Sequence, residues 1–251
     1  MPTALVLSAG GMFGAYQAGA WSVLSRHFQP DLVVGTSVGA LNGWAIAGGC
    51  SAADLLAMWR EPATAGLTRM RFPLIPWNGC IDPAALDRQV RDWYTRFKPV
   101  VPYSATVVEV PSLRLVRVPL ERITPEHLMA SCAIPFGYPP VKINGKHYVD
   151  GGLLDVLPIW AAAEMGATRV IAVNVLPLMP SLPLRGFLRG VRLLGQKPAR
   201  VAGLDVVTIS PRTRLGSVRD ALNWTPDNVR RWIQRGEDDA AAFPSSSPAA
   251  S

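Results

Sequence analysis

Asp31-Leu32-Val33-Val34-Gly35-Thr36-Ser37-Val38-Gly39-Ala40-Leu41 joins an unbroken aliphatic run to a glycine-flanked serine and the start of a small-residue helix reaching about Gly48. A run without polar alternation suits a strand covered on both faces, as in a parallel sheet. Upstream, Ala4-Leu5-Val6-Leu7 has the same character and ends in a glycine cluster, followed by a helical stretch over residues 14–26. A helix of that length between two such strands is what a right-handed crossover needs. Residues 169–175 and 205–209 read as later strands of the same sheet, and residues 106–110 and 113–118 as a hairpin. Asn144-Gly145 is the favoured two-residue turn for a second hairpin over 141–149. Thr124-Pro125 and Thr225-Pro226 each pair a capping threonine with proline at the first helical position. The expected fold is α/β, three layers (α/β/α) around a mainly parallel central sheet. One domain over residues 1–242 is expected, with a disordered Pro/Ser/Ala tail over 243–251.

With 251 residues, 49% of them hydrophobic and 17% charged, the chain can bury a sizeable core, which excludes global disorder. Cys50, Cys80 and Cys132 are odd in number and far apart, so neither a disulfide framework nor a zinc-ligand pattern is present. A cytoplasmic protein, at most peripheral to the inner membrane, is expected. Residues 1–25 carry no charged side chain but lack a basic leader and are interrupted by glycines, unlike a secretory signal. Residues 32–53 are also uncharged and long enough to span a bilayer, yet they are mostly small or polar. The net charge of +7 is concentrated in residues 181–235, with 11 basic and 3 acidic side chains.

Gly35-Thr36-Ser37-Val38-Gly39 at a strand-to-helix junction fits a nucleophile elbow, with Gly35 and Gly39 permitting the tight turn. The plain alternative is a turn with a capping serine. At the end of the first strand, Gly10, Gly11 and Gly14 allow backbone N–H groups to face an anion. The spacing is neither a P-loop nor Gly-x-Gly-x-x-Gly, so a nucleotide site is disfavoured. Asp150-Gly151-Gly152 ends the second hairpin, where a turn aspartate stabilising its own loop is the commoner use. His27, His127 and His147 are the only histidines, and none follows Asp150 as a Ser…Asp…His order requires. A base for Ser37 is therefore better sought among carboxylates, and Asp150 is the one in a glycine-flanked turn.

These blocks resemble the patatin-like phospholipases, which combine a glycine-rich oxyanion loop, a Gly-x-Ser-x-Gly elbow and a later Asp-Gly-Gly or Asp-Gly-Ala motif. Ala130-Ser131-Cys132-Ala133-Ile134-Pro135 and Tyr138-Pro139-Pro140 are similar to a further family segment. The resemblance implies a Ser37–Asp150 dyad, with Gly10, Gly11 and Met12 as oxyanion donors. Gly14, Gly35, Gly39, Gly151 and Gly152 would support these motifs. It also implies acyl-ester hydrolysis with no metal and no cofactor. Three positions depart from the family pattern. Ala9 replaces the first loop glycine, Phe13 a basic residue, and Val156 an asparagine. Phe13 and Val156 motivate a rival reading, a non-catalytic lipid- or partner-binding module. An acyltransferase is a third reading, though such enzymes usually employ a histidine.

Within the basic segment, residues 181–200, the apolar Leu184, Phe187, Leu188, Val191 and Leu194 recur at helical spacing, with Arg185, Arg189 and Arg192 on another face. A basic amphipathic helix of this kind is expected to meet an anionic membrane surface or to be an ordinary surface helix. Nucleic acid is a poorer partner, because no reading motif accompanies the charge.

Overall fold

The computed structural model describes residues 1–61, 79–178, 182–196 and 203–242, with the backbone alone at 182–184 and 187. The terminal segment 243–251, residues 197–200 of the basic segment, and the side chains of Leu184 and Phe187 lie outside the described residues.

The central sheet begins with β1 (Thr3–Leu7), β2 (Leu32–Thr36) and β3 (Tyr103–Val110). β4 (Arg114–Pro119), β5 (Val141–Ile143), β6 (Lys146–Asp150), β7 (Arg169–Val173) and β8 (Asp205–Ile209) complete it. β1 pairs in parallel with both β2 and β7, β7 with β8, and β2 with β3. The hairpins β3–β4 and β5–β6 supply antiparallel pairs, as does β6 with β3. The turn at Asn144-Gly145 has positive φ at both residues, the requirement of the expected hairpin type.

Alternation along β1 shows why the sheet is a middle layer. Leu5 and Leu7 face one apolar cluster, and Ala4 and Val6 face a second on the opposite side. The first cluster is built with α1 (Gly14–Leu24), α2 (Val38–Ala47), α3 (Ala52–Arg60), α4 (Ala84–Arg96), α5 (Pro125–Ser131) and α9 (Pro226–Ala241). The second takes α6 (Ile159–Glu164) and part of α7 (Leu182–Leu194). A short helix α8 (Val218–Ala221) precedes α9. This is the expected α/β/α arrangement. α9 is tied to the front of the chain by a Tyr16 hydroxyl donating to Asp239 (2.8 Å) and an edge-to-face contact of Phe13 with Trp232.

Residues 32–53 are divided between β2, α2 and the start of α3, and most of the segment is buried within the fold. Among the described residues no helix is long and apolar enough to cross a membrane.

β4 occupies one edge of β3 along Ser104–Glu109, so β2, which pairs with Tyr103–Thr106, and β6, which pairs with Val107–Val110, must share the other edge in succession. β2 ends with Thr36 opposite Thr106, and β6, running the opposite way, ends with Asp150 opposite Val107. Two strands thus abut end to end, and the residues leaving them, Ser37 and Asp150, meet.

Candidate active site

Ser37 joins β2 to α2 with φ 58° and ψ −130°, a conformation that L-residues adopt at a cost of ~1–3 kcal/mol and that clusters at functional sites. The surrounding glycines are required by packing. A Cβ on Gly35 would collide with the Gly39 carbonyl, and one on Gly39 would lie 2.5 Å from the carbonyl oxygens of Leu7 and Ser8. The turn therefore closes on itself only because Gly35 lacks a side chain, and it presses against the end of β1 only because Gly39 does. Ser37 is the N-cap residue of α2, so the positive end of that helix dipole lies at its hydroxyl.

Ser131 braces the turn. Its hydroxyl accepts the Ser37 N–H (2.9 Å) and donates to the Thr106 carbonyl (2.9 Å), and it is fully buried. Two residues on, the Ala133 carbonyl accepts the Asp150 N–H (3.0 Å). The end of α5 and the residues just after it thus hold the backbone at both Ser37 and Asp150. Sequence reasoning quoted this Ala-Ser-x-Ala-x-Pro block without assigning Ser131 a part; a small polar residue amid apolar ones was the signal. Ser131→Ala would leave a buried N–H without an acceptor, at ~1–3 kcal/mol. The expected result is a thermal midpoint lower by several degrees and a reduced kcat, with Ser37 still reactive toward a covalent probe. An unchanged midpoint and kcat would remove this bracing role.

Asp150 is 4% exposed. Its Oδ1 accepts the Gly152 N–H (2.7 Å), and hydrogen bonding from the Ser37 side chain favours its ionised form. Burial outweighs both and pushes its pKa up to about 7.

Between β1 and α1, the Ala9 N–H donates to Val156 O and the Phe13 N–H to Gly10 O. The N–H groups of Gly10, Gly11 and Met12, which lie between them, donate to no carbonyl among the described residues. The base of this loop is fixed by a buried polar chain. Gln17 Nε2 donates to Ser8 O (2.7 Å), Asn42 Nδ2 to Gln17 Oε1 (2.9 Å), and Trp59 Nε1 to Asn42 Oδ1 (3.0 Å). None of these was singled out from the sequence, because their partners lie on three different helices. Phe13, the residue standing where a basic one was expected, is 1% exposed and packs against Trp232 in the core.

Ser37, Asp150, Gly10 and Gly11 all line a groove of about 580 Å³ whose other walls are mostly apolar, among them Ile81, Ile134, Leu153 and Leu222. Its volume is in the range of small-molecule sites. No histidine lines it. His27 and His147 are exposed, and His127 Nδ1 accepts the Thr124 N–H in the cap of α5. Cys132 is nearby, but burial and the neighbouring Asp150 raise its pKa well above the ordinary value, so the thiol stays protonated. No group of three or more His, Cys, Asp or Glu side chains among the described residues is arranged to hold a metal ion.

The three arginines of α7 do not share one environment. Arg185 and Arg189 are exposed, whereas Arg192 is half-buried and directs Nη2 to the Gly152 carbonyl at 3.5 Å. Leu188 and Val191 pack toward the second apolar cluster, and Leu193 and Leu194 are exposed. Arg192 therefore leaves the outward basic face expected from the helical spacing. The strand-like contact of Gln196 with Leu113 and Leu115 pins the helix end and sets this rotation.

The chain resembles patatin-like phospholipase domain-containing protein 7 of Rattus norvegicus, at 28% identity over 187 residues, which are 68% of this chain and 13% of that protein. It is 26% identical over 226 residues to the uncharacterized protein YqhO of Bacillus subtilis, covering 76% of this chain and 77% of that one. An uncharacterized NTE family protein of Mycobacterium tuberculosis is 30% identical over 183 residues, 68% of this chain and 48% of its own length. The chain thus spans a small part of the rat protein and about half of the mycobacterial one. Among solved structures, VipD from Legionella pneumophila shares the fold, with a TM-score of 0.55 at 13% identity over 96% of this chain and 66% of that one. The family model for patatin-like phospholipase matches residues 5–163, a span that holds the elbow, the glycine loop, the bracing Ser131 and Asp150. With that match over more than half its length, the chain belongs to the patatin-like phospholipase family.

Proposed function

We propose that the protein is a serine esterase releasing fatty acid from lipid esters, with Ser37 as nucleophile and Asp150 as its base. Family membership supports lipid acyl hydrolysis in general. The observation that carries the finer reading is the pairing of Ser37 with a buried carboxylate whose pKa is about 7. A base poised near neutral pH combines an ionised form with useful basicity, whereas an ordinary aspartate would be ionised but weakly basic. In the proposed reaction Asp150 takes the Ser37 proton as the hydroxyl oxygen attacks the ester carbonyl. The N–H groups of Gly10, Gly11 and Met12, which donate to no carbonyl among the described residues, receive the oxyanion together with the α2 dipole. Collapse expels the alcohol with the proton held by Asp150, and a water molecule, activated by the same carboxylate, then releases the acyl group. The apolar groove takes the acyl chain.

The burial of Phe13 removes one motive for a non-catalytic reading, since that side chain points to the core. An acyltransferase using histidine finds no such residue at the groove. The exposed Arg185, Arg189, Leu193 and Leu194 favour contact with an anionic membrane surface, which would place the enzyme at the membrane periphery.

The test is covalent labelling. A fluorophosphonate probe should add its mass to a peptide containing Ser37, and Ser37→Ala should abolish the adduct. Absence of labelling on the folded wild type would remove the esterase reading. A second test is the pH profile. Because the base must be ionised, kcat/KM for p-nitrophenyl butyrate should fall about tenfold per pH unit well below the Asp150 pKa and level off above it. A profile flat from pH 5 to 8 would show that the rate-determining base is another group.

A further inference from the structure

Beside the apolar groove lies a second cavity of different chemistry. It has a volume of about 450 Å³ and is lined by Arg185 and Arg192 of α7 and Arg214 of the segment after β8, facing Asp155 and Asn174. Three guanidinium groups face one carboxylate. Arg192 is the innermost. Its Nε is buried with no hydrogen-bond partner among the described residues, and burial lowers its pKa, an effect that Asp155 partly offsets. A buried guanidinium with donors left over is well suited to a planar or tetrahedral oxyanion. The two cavities share Val156 and Leu176 as walls. Arg192 is also linked to the dyad loop, since it donates to the carbonyl of Gly152, whose N–H donates to Asp150.

We infer that the Arg185–Arg192–Arg214 cavity is a phosphate subsite that receives the head group of an anionic phospholipid whose acyl ester lies at Ser37. This inference rests on the esterase reading above and narrows it to a substrate class. Arginine matches phosphate geometry with several donors at once, and the cavity has room for more than a bare phosphate. A lipid with its chain in the apolar groove meets the basic cavity at the shared Val156 wall. The lost basic residue of the glycine loop is thereby compensated from α7 and the β8–α8 connection.

The experiment uses soluble short-chain lipids, so that membrane adsorption does not enter. Wild type and Arg185→Gln/Arg214→Gln are compared on dihexanoyl-phosphatidylglycerol, on uncharged dihexanoylglycerol and on p-nitrophenyl butyrate. The double variant should lose roughly 10- to 100-fold in kcat/KM on the phospholipid, the scale of lost charge-assisted hydrogen bonds. The two neutral esters should change less than about twofold. Arg192→Lys, which keeps a charge but not the fork, should likewise lower kcat/KM on the phospholipid. Millimolar inorganic phosphate should competitively inhibit phospholipid hydrolysis by the wild type and spare butyrate hydrolysis. An equal loss on all three substrates would make these arginines structural and overturn the inference. So would unchanged phospholipid hydrolysis by the variants; if phosphate still protected only the wild type thermally, the cavity would serve free phosphate instead. A wild type inactive on every ester would remove the esterase reading, while thermal protection by phosphate would still report on the cavity.

Discussion

Ser37→Ala should reduce hydrolysis of p-nitrophenyl butyrate by roughly four or more orders of magnitude, the scale on which removal of a nucleophile acts. The thermal midpoint should stay within about two degrees of wild type. The side chain is small, and the hydrogen bond that fixes the turn runs from the backbone N–H of residue 37 to Ser131, which alanine preserves. The positive φ of 58° is equally costly for serine and alanine, so no strain is released. Activity and stability therefore separate in this variant. Turnover retained by the purified protein would rule out Ser37 as nucleophile, and a large loss of stability would mean that the hydroxyl itself holds the elbow.

For Asp150→Asn the two readouts should move in opposite directions. Turnover should fall by roughly three orders of magnitude, because an amide cannot take the serine proton. His147→Ala, on the exposed part of β6, should keep most activity and serves as the contrasting variant. Stability should rise, and the sign follows from the pKa. Folding raises the Asp150 pKa from its ordinary 3.8 to about 7, so between those values the folded state binds more protons than the unfolded chain. Wild-type stability then declines as pH increases through that window, and the full penalty of a buried charge is present above it. Three pKa units correspond to on the order of 4 kcal/mol. Asparagine carries no charge and its Oδ1 can still accept the Gly152 N–H. At pH 8 the variant should melt several degrees above wild type, and the difference should shrink toward pH 4. A variant less stable than wild type at pH 8 would show that the carboxylate is stabilised by its surroundings rather than strained by them.

The fold class was legible in short stretches because each carries its own physical signature. Short unbroken aliphatic runs marked β1 and β2 as strands buried on both faces, Asn144-Gly145 marked a hairpin, and Thr-Pro pairs marked the starts of α5 and α9. The elbow and the glycine loop were legible for the same reason. Main-chain geometry there demands glycine, and that demand is written in the residues themselves. Asp150 could be picked out as a candidate, but no local signal placed it beside Ser37.

That placement belongs to the tertiary structure. Residues 103–105 were not read as strand, yet they pair with β2 while residues 107–110 of the same strand pair with β6. Only this shared edge brings residues 37 and 150 together. The pKa of Asp150 has the same origin, since desolvation depends on what surrounds a carboxylate and not on its neighbours in the chain. Ser131 acquires its bracing part from donor and acceptor partners 94 and 25 residues away, respectively. The rotation of α7 was likewise invisible, because helical spacing groups Arg185, Arg189 and Arg192 on one face but does not say which edge of that face meets the protein. Short-range patterning thus determined the strands, the turns and the chemistry on offer. Long-range strand pairing and burial decided which of those groups meet, and with what proton affinity.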